Sequence, residues 1–346
     1  MKKNQIQGID QPVSEICLGT MTFGEQNNQK ESHEILDSAF EKGINFYDTA
    51  EMYPIPPSAS TFNETERILG NWPAFHQHRE KIVMASKVIG PTSFMSWIRN
   101  GSPKLDKENI NKAIEGSLKR LKTDYIDLYQ IHWPARQTNY FGQLDFQTPR
   151  DESITPIKET LDVLATLINN GKIKSIGLSN ETPWGIMSFI QTAKEYNLPL
   201  VVSVQNPYSL LNRSFEIGCA EICHRENISL LSYSPMGFGV LSGKYLTGTD
   251  TPNCRLNRFP QYSRYSNPIA QKATKKYLEL SKEFGLSLTE LSLKFCTTRP
   301  FMGSTIIGAT NNAQLEENIA TTTIDFNEEI QQEINKIHQE YPNPSP

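Results

Sequence analysis

Short apolar runs recur along the chain, at residues 16–18, 44–47, 82–86, 125–131, 173–178, 200–204, 229–233 and 305–307. Most are apolar on both faces, the pattern of a parallel strand covered on both sides. Between them lie stretches with helical spacing of apolar residues, as at 33–41, 107–121, 156–168 and 183–196. This alternation of strand and helix predicts an α/β chain folded as a (β/α)8 TIM barrel, a single domain over residues 1–346. Local signals agree. Thr155-Pro156 and Thr182-Pro183 each place a capping hydroxyl before a proline at the first helical position, and Gly43 and Gly171 mark helix ends.

Three stretches exceed the minimal barrel: 54–63, 89–106 and 133–153. All follow strands, and loops at the C-terminal ends of barrel strands build active sites, so long βα loops walling a substrate cleft are expected. Phe23, Trp97, Trp133 and Tyr140 are the candidate lining, with Phe141 beside them; a surface loop is the competing reading for any one of these aromatics. Residues 327–341 read as an amphipathic helix, and the Pro-rich tail at 341–346 is expected to be mobile.

The net charge of -4, from 34 basic and 38 acidic residues without a block of one sign, gives nucleic acid or an anionic membrane nothing to grip. A small-molecule partner is expected. The five cysteines, Cys17, Cys219, Cys223, Cys254 and Cys296, lack metal-ligand spacing and suit a reducing cytoplasm. Cys219 and Cys223, four apart, read as one packed helical face rather than a ligand pair. No apolar stretch approaches the ~18 residues of a spanning helix, and no apolar signal segment follows the first lysines, so a cytoplasmic protein is expected.

Chemistry-bearing residues follow three consecutive strands. Asp48 ends the second run with Tyr53 five residues on, Lys87 ends the third, and His132 ends the fourth. At a barrel mouth an ammonium beside a tyrosine hydroxyl is expected to lower its pKa and make a general acid, while a neutral His132 orients a carbonyl substrate. Hydride transfer to that carbonyl needs a nicotinamide, because no side chain supplies hydride. Taken singly, each of these residues reads as an ion pair or a satisfied core histidine; together they point to a site.

The chain resembles the aldo-keto reductases, and among them the bacterial Tas-like branch related to potassium-channel β-subunit-like reductases. The resemblance is carried by Leu18-Gly19-Thr20-Met21-Thr22-Phe23-Gly24, Asp48-Thr49-Ala50-Glu51-Met52-Tyr53, Ser86-Lys87, the run from Tyr125 to Trp133, Gly177-Leu178-Ser179-Asn180, Gln205-Asn206-Pro207-Tyr208, and Ile306-Ile307-Gly308-Ala309-Thr310. A Gly-rich stretch, Ser234, Pro235, Met236, Gly237, Phe238, Gly239, Val240, Leu241, Ser242, Gly243 and Lys244, completes it behind Tyr233.

The resemblance implies a catalytic tetrad of Asp48, Tyr53, Lys87 and His132, with Tyr53 as the acid. It also implies NADP(H) as cofactor and an aldehyde or ketone as substrate. Gly19, Thr20 and Met21 would run under the nicotinamide ribose, with Asp48 close by; Ser179, Asn180 and Gln205 would hold the carboxamide, and Tyr233 would stack on the ring. Residues 234–244 would wrap the pyrophosphate, and Gly308, Thr310, Gln314, Glu317 and Asn318 would take the adenosine end. Some branches place a Lys at position 308 and an Arg at 314; this chain has neither. Thr310 at a helix N-terminus, or Arg255 or Arg258, would then serve the 2′-phosphate. A cofactor-binding regulatory or partner-binding subunit is the competing reading. A metal-dependent barrel hydrolase is a third, although only His132 of the six histidines lies at a strand end.

Overall fold

The computed structural model describes residues 1–149 and 154–346, so the last four residues of the 133–153 insertion lie outside it. The strands are β1 (Lys3–Asn4), β2 (Val13–Ser14), β3 (Ile16–Gly19), β4 (Phe46–Asp48), β5 (Val83–Val88), β6 (Ile126–Ile131), β7 (Ile173–Ser179), β8 (Val201–Pro207), β9 (Ser229–Tyr233) and β10 (Met302–Ile307). From β3 to β10 they form a closed parallel barrel, β10 pairing with both β3 and β9. The predicted (β/α)8 TIM barrel is the observed fold, and each apolar run lies on one barrel strand. Boundaries drift most where polar or small residues extend a strand, as Gln205 and Asn206 do in β8 and Gly303 and Ser304 do in β10.

Strand side chains alternate between the two faces of the barrel wall. Cys17, Phe46, Val83, Ala85, Leu128, Leu231 and Ile306 fill the interior. Their neighbours Ile16, Leu18, Tyr47, Met84 and Tyr129 join the larger core beneath the helices. The antiparallel pair β1 and β2 sends Ile6, Ile9 and Val13 into the interior cluster and plugs one end of the barrel. Two-residue strands are too short to show an alternation, so the sequence gives no sign of this plug.

The helix Lys107–Leu121 shows why the outer ring forms. Asp106 caps its start through the Asn109 N–H, and Ile110, Ala113, Ile114, Ser117 and Leu121 make one buried stripe at helical spacing. The helix Pro183–Tyr196 begins as predicted, the Thr182 hydroxyl accepting from the Gly185 N–H. The other Thr-Pro signal reads differently: the helix Ile157–Asn169 starts one residue late, so Pro156 is the cap residue and no side chain caps it. Cys219 and Cys223 are both buried on the helix Cys219–Glu226, the packed face anticipated.

Beyond the helix Glu328–Glu340, the Pro-rich tail, expected to be mobile, makes hydrogen bonds to the barrel. Asn343 accepts from the Arg213 N–H at 2.7 Å, the Ser345 N–H donates to the Leu211 carbonyl at 3.0 Å, and Ser345 is buried. Prolines limit its own secondary structure, but its carbonyls and polar side chains find partners on the barrel loops. Among the described residues, no helix is long and apolar enough to cross a membrane.

Candidate active site

Extending each interior row by two residues reaches the C-terminal rim. Above Cys17 stands Gly19, above Phe46 Asp48, above Ala85 Lys87, above Leu128 Gln130, and above Leu231 Tyr233. Pairing brings these ends level: Gly19 lies opposite Asp48, Lys87 opposite Gln130, Ser179 opposite Gln205 and Pro207 opposite Tyr233. The turn after β4 is pinned to β5, the Thr49 N–H donating to the Ala85 carbonyl and the Glu51 N–H to the Lys87 carbonyl. That turn delivers Tyr53 over the barrel mouth.

The Lys87 ammonium is fully buried and spends its protons on three acceptors: Asp48 Oδ1 at 2.5 Å, the Thr49 carbonyl at 2.8 Å and the Tyr53 hydroxyl at 3.4 Å. The other Asp48 oxygen accepts from the side-chain amides of Gln130 at 3.0 Å and Gln205 at 2.8 Å. His132 lies edge-on to Tyr53, ring centroids 5.7 Å apart, and its buried Nδ1 has no partner among the described residues. Asp48, Lys87, Tyr53 and His132 thus meet in one place.

Burial dominates the titration of these groups. It pushes the Tyr53 hydroxyl above its ordinary value of 10.0, against the opposing pull of Lys87. The expected net lowering is therefore not observed: desolvation of a phenolate outweighs an ammonium whose charge Asp48 already balances. For Lys87, burial acts downward, but Asp48 and Tyr53 outweigh it and the pKa rises above 10.5. His132 is held well below 6.5, first by burial and then by Lys87, and is neutral at physiological pH.

One wall of the mouth is aromatic. Tyr53 packs in a cluster with Met52, Ile89, Met95, Ile98 and Trp133, against which Trp97 and Tyr140 lie partly buried. Trp133 donates its indole N–H to the Pro91 carbonyl, tying two insertions together. Phe141 is 51% exposed and touches Trp133 edge-on. Phe23 does not reach the cleft: it is fully buried in the main core, where its small loop turns inward to pack on the helices.

The residues predicted to contact a cofactor also gather at this rim. Thr20 bonds to the Asp48 carbonyl through both its N–H and its hydroxyl. Asn180, in the left-handed region at φ 53°, donates to the His132 carbonyl and accepts from the Tyr233 hydroxyl at 2.7 Å. Ser179 donates to the Gln205 carbonyl. Both Gln205 amide protons are engaged, on Asp48 and Gln130, which leaves its side-chain oxygen for a carboxamide.

In the stretch 234–244, Ser234, Gly237, Phe238, Gly239 and Gly243 have positive φ, a curl that turns backbone toward one side. A Cβ on Gly239 would stand 3.0 Å from the Lys244 ammonium. Arg255 stacks on Phe238 at 4.1 Å and approaches Met21, its Nε buried without a partner among the described residues. Burial draws its pKa below 12.5. An orphaned buried guanidinium N–H beside a glycine curl fits a dinucleotide's phosphates.

The far end is more closed than expected. The side-chain oxygen of Gln314 takes both the N–H and the hydroxyl of Thr310, and Asn311 caps the Gln314 N–H. Asn318 donates to the Gly308 carbonyl, Glu317 is exposed, and a Cβ on Gly308 would meet nothing within 4 Å. Arg258 pairs with Glu25 at 3.0 Å, and Arg255 sits near Met21 instead.

Sequence reasoning passed over Gln130 and Glu51. Gln130 was legible as the one amide in an apolar strand, two residues before His132 on the same face. Glu51, buried, forms a two-pronged ion pair with Arg99 at 2.6 and 2.8 Å and accepts from the Ile89 N–H at 2.9 Å. Forty-eight residues separate the pair, and no local pattern announces it.

Residues 15–339 match the model of the Aldo/keto reductase family. The chain is 44% identical to Protein tas of Escherichia coli (strain K12), aligned over 100% of both chains. It is 42% identical to an aldo-keto reductase of Babesia bovis, over 76% of this chain and 98% of that one. It is 27% identical to a probable voltage-gated potassium channel subunit beta of Oryza sativa subsp. japonica, over 89% of this chain and 87% of that one.

Proposed function

We propose, from the premise that this chain belongs to the aldo/keto reductase family, that it reduces an aldehyde or ketone with NADPH and that Tyr53 is the proton donor. The observation that carries this reading is the Tyr53 hydroxyl, protonated and buried, 3.4 Å from a Lys87 ammonium that Asp48 holds. NADPH supplies the hydride when bound. The residues that would hold it are Tyr233, the 234–244 curl with Lys244, and Arg255, whose buried Nε has no partner among the described residues.

Tyr53 gives its phenolic proton to the carbonyl oxygen as charge develops there, and the neighbouring Lys87 limits the cost of the phenolate that remains. His132, kept neutral, has the chemistry to donate a hydrogen bond to that oxygen without surrendering a net charge to the site. The wall of Trp97, Trp133 and Tyr140 supports a substrate with an apolar or aromatic body. Cofactor discrimination on this reading rests on Gln314, Thr310 and Asn318, since the family's basic positions are occupied by Gly308 and Gln314.

The test is a panel of aldehydes and ketones, a nitrobenzaldehyde among them, followed by NADPH absorbance. Tyr53→Phe should lower turnover by a factor of about 10² to 10⁴ while NADPH affinity stays near that of the unmodified protein. An equal loss of cofactor affinity would refute the role given to Tyr53. NADPH binding without turnover across the panel would favour a binding subunit, as the name of the rice relative suggests for that protein.

A further inference from the structure

Gln130 is the one amide in strand β6, it is wholly buried, and the proton transfer does not use it. It stands opposite Gly177 on β7, and a Cβ on that glycine would lie 3.0 Å from Gln130 Cγ. The bare position on the inward face of β7 lets the side chain cross to Gln205 on β8, two strands away. Gln130 Oε1 accepts from Gln205 Nε2 at 3.0 Å, and Gln130 Nε2 donates to Asp48 Oδ2 at 3.0 Å. Gln205 Nε2 donates to the same Asp48 oxygen at 2.8 Å.

These three groups can be satisfied in only one sense. Asp48 is ion-paired to Lys87 and its oxygens only accept, so both amides must turn their nitrogens toward it. Gln130 then has only its oxygen to offer Gln205, and that oxygen takes the second Gln205 proton. With both protons committed, Gln205 presents its own oxygen on the remaining side. A reversed Gln205 would set that oxygen against the carboxylate and against Gln130 Oε1, in a place where no water relieves the repulsion. Asp48 by itself engages one Gln205 proton and leaves the other unpaired; Gln130 completes the lock.

We infer that Gln130 is a positioning residue for the cofactor, fixing the sense of the Gln205 amide so that the site offers an acceptor to the carboxamide NH2 of a nicotinamide. This rests on the reading of Gln205 as a carboxamide contact. It also ties that contact to the carboxylate that holds Lys87, so one buried anion orders both the acid and the cofactor side of the site.

The probes are NADP+ and its 3-acetylpyridine analogue, in which a methyl group replaces the carboxamide NH2 and the proton meant for Gln205 is gone. Kd for each is read by quenching of protein fluorescence in the unmodified chain, Gln130→Met, Gln130→Asn, Gln130→Glu, Gln205→Met, and the chain carrying both Gln130→Met and Gln205→Met. The unmodified protein should bind NADP+ about fivefold more tightly than the analogue, the worth of one hydrogen bond. Gln130→Met fills the same space without the oxygen and should erase most of that preference by weakening NADP+ alone. Gln130→Asn, one methylene too short to reach Gln205, should do the same and keeps the test open if Gln130→Met does not fold. Gln130→Glu retains an oxygen facing Gln205 and should retain the preference. In the Gln205→Met background, Gln130→Met should change it no further.

A merely structural Gln130 would weaken both cofactors in proportion and leave their ratio as it was. An undiminished preference in Gln130→Met or Gln130→Asn, its loss in Gln130→Glu, or equal Kd values in the unmodified chain would overturn the role while leaving the reductase reading in place. Protein that gives the expected ratios but reduces nothing in the aldehyde panel would sink the reductase reading and leave the role of Gln130 standing. Protein that binds neither cofactor would overturn both.

Discussion

Tyr53 and Lys87 illustrate how a single contact can be legible and its consequence misjudged. Sequence spacing brings an ammonium to a phenol, and the structure has that pair at 3.4 Å. Yet burial comes first for Tyr53, and its pKa stands above 10.0. Reduction needs the protonated hydroxyl, so its rate should hold across neutral pH and fall only as pH rises through the raised pKa. Lys87→Met removes the influence that opposes burial, so the phenol should titrate at still higher pH. Ultraviolet difference titration against Tyr53→Phe reads that group directly; an unchanged or lower titration point would break the assigned pairing. The same substitution leaves the Asp48 carboxylate buried without its cation, which costs about 3–5 kcal/mol of stability.

At the scale of elements, the site depends on how insertions are tied to strand ends. The Glu51–Arg99 pair holds the 89–106 insertion against the turn that carries Tyr53, and both side chains are largely buried. Glu51→Gln or Arg99→Met should lower the unfolding free energy by about 3–5 kcal/mol, because the surviving charge stays out of water without a partner. Urea unfolding measures this, and a loss as small as that of an exposed pair would show that the charge finds solvent. Helix starts show the limits of local reading. Thr182 caps its helix as its motif suggests, while Thr155, with the same motif, lies one residue too early to cap the helix Ile157–Asn169. Pro fixes only its own φ, and the position of the first turn is set by which side chains the neighbouring helices bury.

For the whole molecule, the barrel works as a wall with two ends. The N-terminal end is closed by Ile6, Ile9 and Val13, and the opposite rim carries the candidate chemistry. Ile6→Ala, a change in a fully buried side chain, should cost about 2–5 kcal/mol, measured by denaturant unfolding. The folded variant should keep its kcat and KM, since the plug and the rim are separated by the layered interior. A parallel fall in kcat would mean that the two ends are coupled.

The sequence by itself determined a parallel α/β architecture with eight strands, because strands mostly apolar on both faces must be covered on both sides, and eight alternating β and α units suit closure into a barrel. It also determined that Asp48, Lys87 and His132 would share a rim, because period-two alternation sends strand-end residues of one phase to the same side. Only the tertiary structure decided what depends on distance between remote residues. It set the upward shift of Tyr53, which follows from how completely the insertions desolvate it. It buried Phe23 in the core, paired Glu51 with Arg99, and bonded the tail to Arg264. Periodicity is a local property of the chain, whereas burial and long-range pairing exist only once the chain has closed on itself.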